Sequence, residues 1–240
     1  MGNDWFEFKE FRIDQPENVF RVGTDGVLIG AWAAAKQPEV RTILDVGTGT
    51  GLIALMMAQR FPGAVIKAIE PDRPSFEAAE ANVVTSKWST SVEVINSSLQ
   101  EFASGYSGKF DLIVTNPPFF TGSLKNPDPA KASFRHAGAL NTSMILEHSR
   151  GIMAEGGLLS LILPWAEGNV LVAEAAATGL YCSRMVKVRP FSNSPFNRVL
   201  LEFSCERTHP SVKILTVGHP SKGGYSRDYM ELTGEFYLNF

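Results

Sequence analysis

The ten residues from Thr42 to Gly51 constrain the fold of this chain more than any others. Thr42-Ile-Leu-Asp-Val46 reads as a buried strand and runs straight into Gly47-Thr-Gly-Thr-Gly51. An apolar helix, Leu52 to Arg60, follows and is stopped by Pro62. Strand, glycine turn and helix in that order open a right-handed βαβ unit. The pattern then repeats. Strands are predicted over Ala64–Ile69, Val92–Ile95, Phe110–Thr115 and Gly157–Leu163, and helices over Arg73–Ser86 and Ser143–Ala154. Such alternation implies a parallel sheet covered by helices on both faces. Near the end, Tyr181–Val188 and Arg198–Cys205 flank only the short loop Pro190–Asn197, which favours antiparallel pairing over another crossover. The expected fold is α/β and doubly wound: a mostly parallel seven-stranded sheet with an antiparallel C-terminal strand. Residues 1–40 read as a strand-and-loop extension packing on a main domain at 41–240. Within it, residues 5–13 form a short edge strand or hairpin with Phe6 and Phe8 on one face.

Glycines in the loop at 47, 49 and 51 permit unusual backbone angles and let a ligand approach the main chain. The helix that follows offers unpaired N–H groups to an anion. A dinucleotide-binding loop, G-x-G-x-x-G, would place its last glycine at position 52, where this chain has Leu52. Pyrophosphate is therefore the wrong anion. The carboxylate of an amino acid suits the loop better, with Asp45 available for its ammonium group. The next strand ends in Glu70, 23 residues beyond Gly47, placed to bind both hydroxyls of a ribose. Strand, D-x-G-x-G-x-G, helix, strand and acid together resemble the cofactor half of the Rossmann-like methyltransferases. That resemblance implies S-adenosylmethionine as cofactor.

The fourth strand of the series ends in Asn116-Pro117-Pro118-Phe119-Phe120. Two prolines stiffen the chain where it leaves the sheet. In an open α/β sheet this position faces the same crevice as the glycine loop. Standing alone, the segment reads equally well as a rigid turn with an aromatic plug. After that glycine loop it looks like the N-P-P-[F/Y] motif of amino methyltransferases, which makes Asn116, Pro117 and Phe119 the catalytic candidates. The Asn116 side-chain oxygen and the Pro117 carbonyl would hold the two N–H groups of an exocyclic amine. Phe119 would stack on an extruded base.

The upstream segment Phe20-Arg-Val-Gly-Thr-Asp-Gly-Val-Leu28, the pair Arg135-His136 and the aromatic ending Tyr225–Leu238 are similar to the family that methylates N6 of adenine 37 of a valine tRNA, 3′ of the anticodon. The resemblance covers nearly the whole chain. It implies Thr24, Asp25 and Gly26 as cofactor-side residues beside Asp45, Gly47, Gly49, Gly51, Glu70 and Asn116. Phe119, Phe120, Arg135, His136 and Arg198 become substrate-side candidates, with tRNA as the partner. Ser98 stands where such enzymes often carry an Asp for the cofactor's adenine, so a weaker adenine contact is expected. Alternatives are an amino methyltransferase on guanine N2 of rRNA or on a protein glutamine, and a non-catalytic binder of the cofactor or of RNA.

Charge and composition bear on partners and compartment. Net charge is −3, yet residues from Leu180 onward hold eight Lys/Arg against five Asp/Glu, +3 there and −6 before it. One phosphate-facing surface on an acidic body fits that asymmetry. No apolar run approaches the ~20 residues that span a bilayer. The first eleven residues carry Asp4, Glu7 and Glu10 and lack a signal-like apolar core. Cys182 and Cys205 read as two buried thiols in a reducing compartment. No metal spacing is found among the histidines. A cytoplasmic monomer without metal is the expectation.

Overall fold

The computed structural model describes residues 3–37, 39–118, 142–219 and 223–240. After a two-stranded antiparallel hairpin, β1 (Trp5–Glu7) and β2 (Arg12–Asp14), comes helix α1 (Thr24–Trp32). The alternating portion follows as β3 (Thr42–Val46), α2 (Leu52–Arg60), β4 (Val65–Ile69), α3 (Arg73–Thr85), β5 (Val92–Ile95), α4 (Leu99–Gly105) and β6 (Phe110–Thr115). It resumes with α5 (Thr142–Ile152), β7 (Met153–Pro164), α6 (Trp165–Ala175), β8 (Tyr181–Arg189), β9 (Arg198–Ser204), β10 (Ser211–Thr216) and α7 (Arg227–Thr233).

The main sheet runs in the order β5-β4-β3-β6-β7-β9-β8-β10. Every neighbouring pair is parallel except those made by β9, which lies antiparallel between β7 and β8. The doubly wound α/β class is as expected, and the one reversed strand is among those predicted. The sheet has eight strands where seven were expected. The additional one, β10, pairs in parallel with β8 at the edge. Its sequence Ser-Val-Lys-Ile-Leu-Thr is exposed over four of six positions, so no hydrophobic run marked it.

β3 and β6 are buried at nearly every position because both faces are covered, and their sequences are continuous apolar runs for that reason. α3 begins at a side-chain cap: Asp72 accepts from the Ser75 N–H at 3.0 Å, and Pro74 sits in the first turn. α1 was not expected, the first forty residues reading as strand and loop. Its Gly26 and Gly30 are poor helix formers, and residues 26–32 are buried all round, which erases the amphipathic period. Those glycines are contact points. A Cβ on Gly30 would fall 2.4 Å from the sulfur of Met56 on α2, so only glycine lets the two helices meet this closely.

The carboxylate of Glu202 on β9, 2% exposed, locks the end of α1 to the sheet. It accepts from Ala34 N (3.0 Å), Ser160 Oγ (3.1 Å) and Arg184 Nη1 (2.9 Å), and the Arg184 guanidinium lies 4.3 Å over the ring of Trp32. A buried charge is tolerable only when its lone pairs are met in this way. The two ends of the described chain also meet. Lys9 N donates to Phe236 O at 2.8 Å, and Phe6 and Phe8 lie within 6.0 Å of the Tyr237 ring. Cys182 is buried as expected, whereas Cys205 is exposed, because β9 stops at Ser204 and releases the following residue to the surface. Among the described residues no helix is long and apolar enough to cross a membrane.

Candidate active site

Asp45 and Glu70 stand at the carboxyl ends of the neighbouring strands β3 and β4, and Asn116 follows β6 on the other side of β3. The glycine loop turns over the end of β4, where Gly47 and Thr48 donate backbone N–H groups to Ile69 O at 2.9 and 3.1 Å. Gly47 (φ +69°) and Gly49 (φ +57°) adopt left-handed angles, and a Cβ added at either would meet nothing within 4 Å. The loop is therefore built of glycines for its backbone angles and has open space in front of it. Gly51, also left-handed at φ +85°, caps α2.

Asp45 is fully buried. Its Oδ2 accepts from the Thr48 hydroxyl at 2.5 Å, while Oδ1 has no hydrogen bond of ordinary geometry among the described residues. Burial raises its pKa to about 7, against the lowering pulls of the Thr48 hydroxyl and the Ala54 backbone N–H and with a further rise from Glu70. Burial likewise raises Glu70. Glu70 Oε2 accepts from Gly49 N at 2.9 Å and Oε1 from Asp72 N at 3.0 Å. A carboxylate has about four lone-pair sites, so each oxygen keeps one for a ligand. Glu70 thus ties down the glycine loop and keeps acceptor capacity for a ligand.

Two buried carboxylates beside one loop call for a positively charged ligand. A sulfonium with an ammonium group answers that need, whereas a pyrophosphate would be repelled. An unpartnered buried oxygen on Asp45, an open glycine cradle and the spare lone pairs of Glu70 form a donor and acceptor set that fits S-adenosylmethionine.

Asn116 Oδ1 is the second buried oxygen of the site without a hydrogen-bond partner among the described residues. One residue earlier, the Thr115 hydroxyl donates to Val46 O at 2.8 Å and cross-links the ends of β6 and β3. That bond fixes the spacing between Asn116 and the glycine loop. Pro117 is buried and Pro118 exposed. Phe119, Phe120, Arg135 and His136 lie outside the described residues.

The remaining candidates fall into two groups. Ser98 caps α4 in a reciprocal capping box: its hydroxyl donates to Glu101 Oε2 at 2.8 Å and accepts from Glu101 N at 3.2 Å. It has only a lone pair left for a ligand. Thr24, Asp25 and Gly26 form the first turn of α1, and a Cβ on Gly26 would lie 2.9 Å from Leu52 of α2, next to the glycine loop. Asp25 Oδ2 accepts from Arg198 Nε at 2.8 Å, so a residue assigned to the cofactor side and one assigned to the substrate are ion-paired. This pair lines a cavity of about 760 Å³ beyond the ends of β8 and β10.

Sequence reasoning missed the residues that brace the loops. Asn82 of α3, 2% exposed, donates to Thr50 O and Asp14 O and accepts from Asp14 N, all at 2.9 Å. It holds the glycine loop and the N-terminal hairpin together. Asn96 donates to Glu70 O at 2.7 Å and steadies the end of β4. A buried amide within an otherwise ordinary helix carries no sequence signal of such a role. Thr48 and Thr115, each beside a predicted site residue, were the more accessible clues.

Residues 25–160 match the family model for the methyltransferase small domain. The chain is 40% identical over 250 residues to the tRNA1(Val) (adenine(37)-N6)-methyltransferase of Porphyromonas gingivalis, covering 99% of this chain and 96% of that one. It is 38% identical over 239 residues to the protein of the same name from Parabacteroides distasonis, covering 99% of each. The crystal structure of a predicted O-methyltransferase of Agrobacterium tumefaciens shares the fold, with a TM-score of 0.63 at 18% identity over 88% of this chain and 96% of that one. The matched span contains both the glycine loop and Asn116, and the curated relatives align end to end. The chain therefore belongs to the methyltransferase small domain family and to the tRNA1(Val) (adenine(37)-N6)-methyltransferases.

Proposed function

We propose that this protein methylates N6 of adenine 37 in a valine tRNA, using S-adenosylmethionine, in the cytoplasm. The observation that carries the reading is the buried Asn116 oxygen, without a hydrogen-bond partner among the described residues and set beside Pro117 one strand away from the glycine loop. The names of the end-to-end relatives supply the substrate. When bound, the cofactor supplies an electrophilic methyl group on sulfur. The adenine amine is conjugated with its ring and is a weak nucleophile. Asn116 Oδ1 and the Pro117 carbonyl would accept its two N–H groups, turning the lone pair out of conjugation and toward the methyl group, and holding it there supplies much of the acceleration. No strong base is needed, because the nitrogen proton becomes acidic once the methyl is attached. Asp45 would meet the ammonium group and Glu70 the ribose, and residues 1–40 would brace the loops from outside. Nucleoside mass spectrometry of tRNA from a deletion strain tests the reading, since retention of N6-methyladenine in valine tRNA would overturn it.

Asp45 gives the cofactor step a pH dependence. With its pKa raised to about 7, the unliganded carboxyl is largely protonated at pH 6 and must ionise to hold an ammonium group. Affinity should rise about tenfold per pH unit below 7 and level off above it. It should fall again beyond ~8, where an α-amino group loses its own proton. Stability of the unliganded protein runs the opposite way. The folded state binds a proton that the unfolded chain has released, so this contribution is present at low pH and is lost as pH rises through about 7. Calorimetry from pH 5.5 to 8 on wild type and Asp45→Asn checks both, and an equally steep rise in the variant would remove Asp45 from the ammonium site.

RNA binding should weaken as salt rises, each neutralised phosphate of a single strand adding roughly 0.7 to the logarithmic slope. Arg198→Ala should flatten that slope by about one such contact while leaving cofactor affinity within about twofold. Filter binding between 50 and 300 mM salt, to be chosen around the midpoint, measures it; an unchanged slope would take Arg198 off the phosphate path.

A further inference from the structure

The cavity beyond β8 and β10 lies at the same end of the sheet as the catalytic loops. β8 and β10 run parallel to the strands that carry Asp45, Glu70 and Asn116, so their carboxyl ends point the same way, and the start of antiparallel β9 joins them there. Along the sheet edge the order is cofactor loop at β4 and β3, Asn116 at β6, then the cavity at β9, β8 and β10. From β6 to β9 and β8 is two to three strand spacings, ~10–15 Å. Neither the glycine loop nor Asn116 lines this cavity. It reaches α1 through Thr24, Asp25 and Leu28.

Its lining is specific in kind. The walls include Phe191 and Tyr225, 42% and 46% exposed, two aromatic residues lining one cavity. Both rings are held in place. Tyr225 stacks on Tyr229 at 4.9 Å and 18°, and Phe191 rests on Gly218, where an added Cβ would come within 3.0 Å of the ring. Backbone bonds from Val217 N to Arg189 O and from Gly218 N to Pro190 O tie the two wall loops together. The carboxylate in the lining, Asp25, is neutralised by Arg198. Asn197 lines the cavity, and its backbone makes the bonds to Val188, Trp165 and Arg198. Fixed aromatic faces, a neutralised floor and an amide with both donor and acceptor suit a neutral, flat, heteroaromatic occupant.

We propose that this cavity takes a nucleobase of the RNA next to the adenine presented to Asn116, stacking it on Phe191 and Tyr225 and reading its edge with Asn197. The proposal rests on the RNA-methylating reading given above. An anticodon loop must splay its bases to deliver one of them to the methyl group, and a seat for the neighbour would hold the loop open and fix the register. The contribution belongs to substrate binding, so it should appear in KM for RNA and leave kcat and cofactor affinity alone.

The experiment uses the full chain and an anticodon stem-loop of the tRNA, intact or with an abasic nucleotide on the 5′ or 3′ side of the target adenine. With wild type, one of the two abasic substrates should lose about tenfold in kcat/KM through KM, within the range that base–aromatic stacking supplies. Phe191→Ala should lose about tenfold on the intact substrate and nothing further on the abasic one. Phe191→Trp, which keeps a stacking face, should restore the wild-type pattern. An abasic penalty that persists undiminished in Phe191→Ala, or an intact-substrate KM that does not change, overturns the pocket. A wild-type enzyme that methylates no RNA overturns instead the reading beneath it.

Discussion

Glu70→Ala should lower S-adenosylmethionine affinity by roughly 100-fold or more. The structure makes this effect larger than a lost ribose contact alone. Glu70 accepts from Gly49 N and Asp72 N, so its removal frees the glycine loop and the turn after β4 together. Hydrogen bonds to a charged group are worth about 1.5–3 kcal/mol each, and two such losses exceed a hundredfold in a binding constant. Glu70→Gln separates the two contributions. It keeps an oxygen for one loop N–H but places an amide N–H₂ against the other, and it discards the charge that favours a cationic ligand. It should fall between wild type and Glu70→Ala. Calorimetric titration decides the matter: affinity within about threefold of wild type in Glu70→Ala would mean that the crevice at β4 is not the ribose site.

The difference between a ribose ligand and a loop brace shows what the sequence could convey. Position and charge were legible. Asp45, Glu70 and Asn116 were identified from strand ends, and they stand at the carboxyl ends of the neighbouring strands β3, β4 and β6. Central strands were legible for a physical reason as well. β3 and β6 have the predicted bounds because a strand buried on both faces must be apolar nearly throughout. The same physics hid α1, whose all-round burial leaves no periodicity, and β10, which as a half-exposed edge has no apolar run.

Partnerships between residues distant in the chain were not legible. Asp25 and Arg198 are 173 positions apart and meet only because α1 packs where β9 begins. Asn82 reaches Thr50 and Asp14 from the middle of a helix. Ser98 occupies a position that a motif would assign to the cofactor, yet Glu101 three residues later was a visible sign of a capping box. Both readings were written in the sequence there, and the local one describes the bonds the hydroxyl makes.

Asn116→Ala should lower the single-turnover rate of methyl transfer by about 10²–10³-fold, the cost of removing one preorganised polar group from a reacting centre. Cofactor affinity should stay within a few fold, and RNA affinity with it, because the bond to the amine strengthens as the nitrogen rehybridises and belongs mainly to the transition state. Asn116→Asp keeps an oxygen acceptor in the same place and should retain more of the rate than alanine does. Stability provides an independent check. The Asn116 oxygen is buried and has no hydrogen-bond partner among the described residues, and an unmet buried acceptor costs ~1–3 kcal/mol. Removing it should leave the unliganded protein as stable as wild type or more so. A residue that served only to form a rigid turn would behave in the opposite way, since its loss would lower the melting temperature and affect the rate only through unfolding. The amine-polarising role therefore predicts a slower and equally stable enzyme. A variant that unfolds earlier yet transfers methyl at near the wild-type rate when saturated would return Asn116 to a purely structural part.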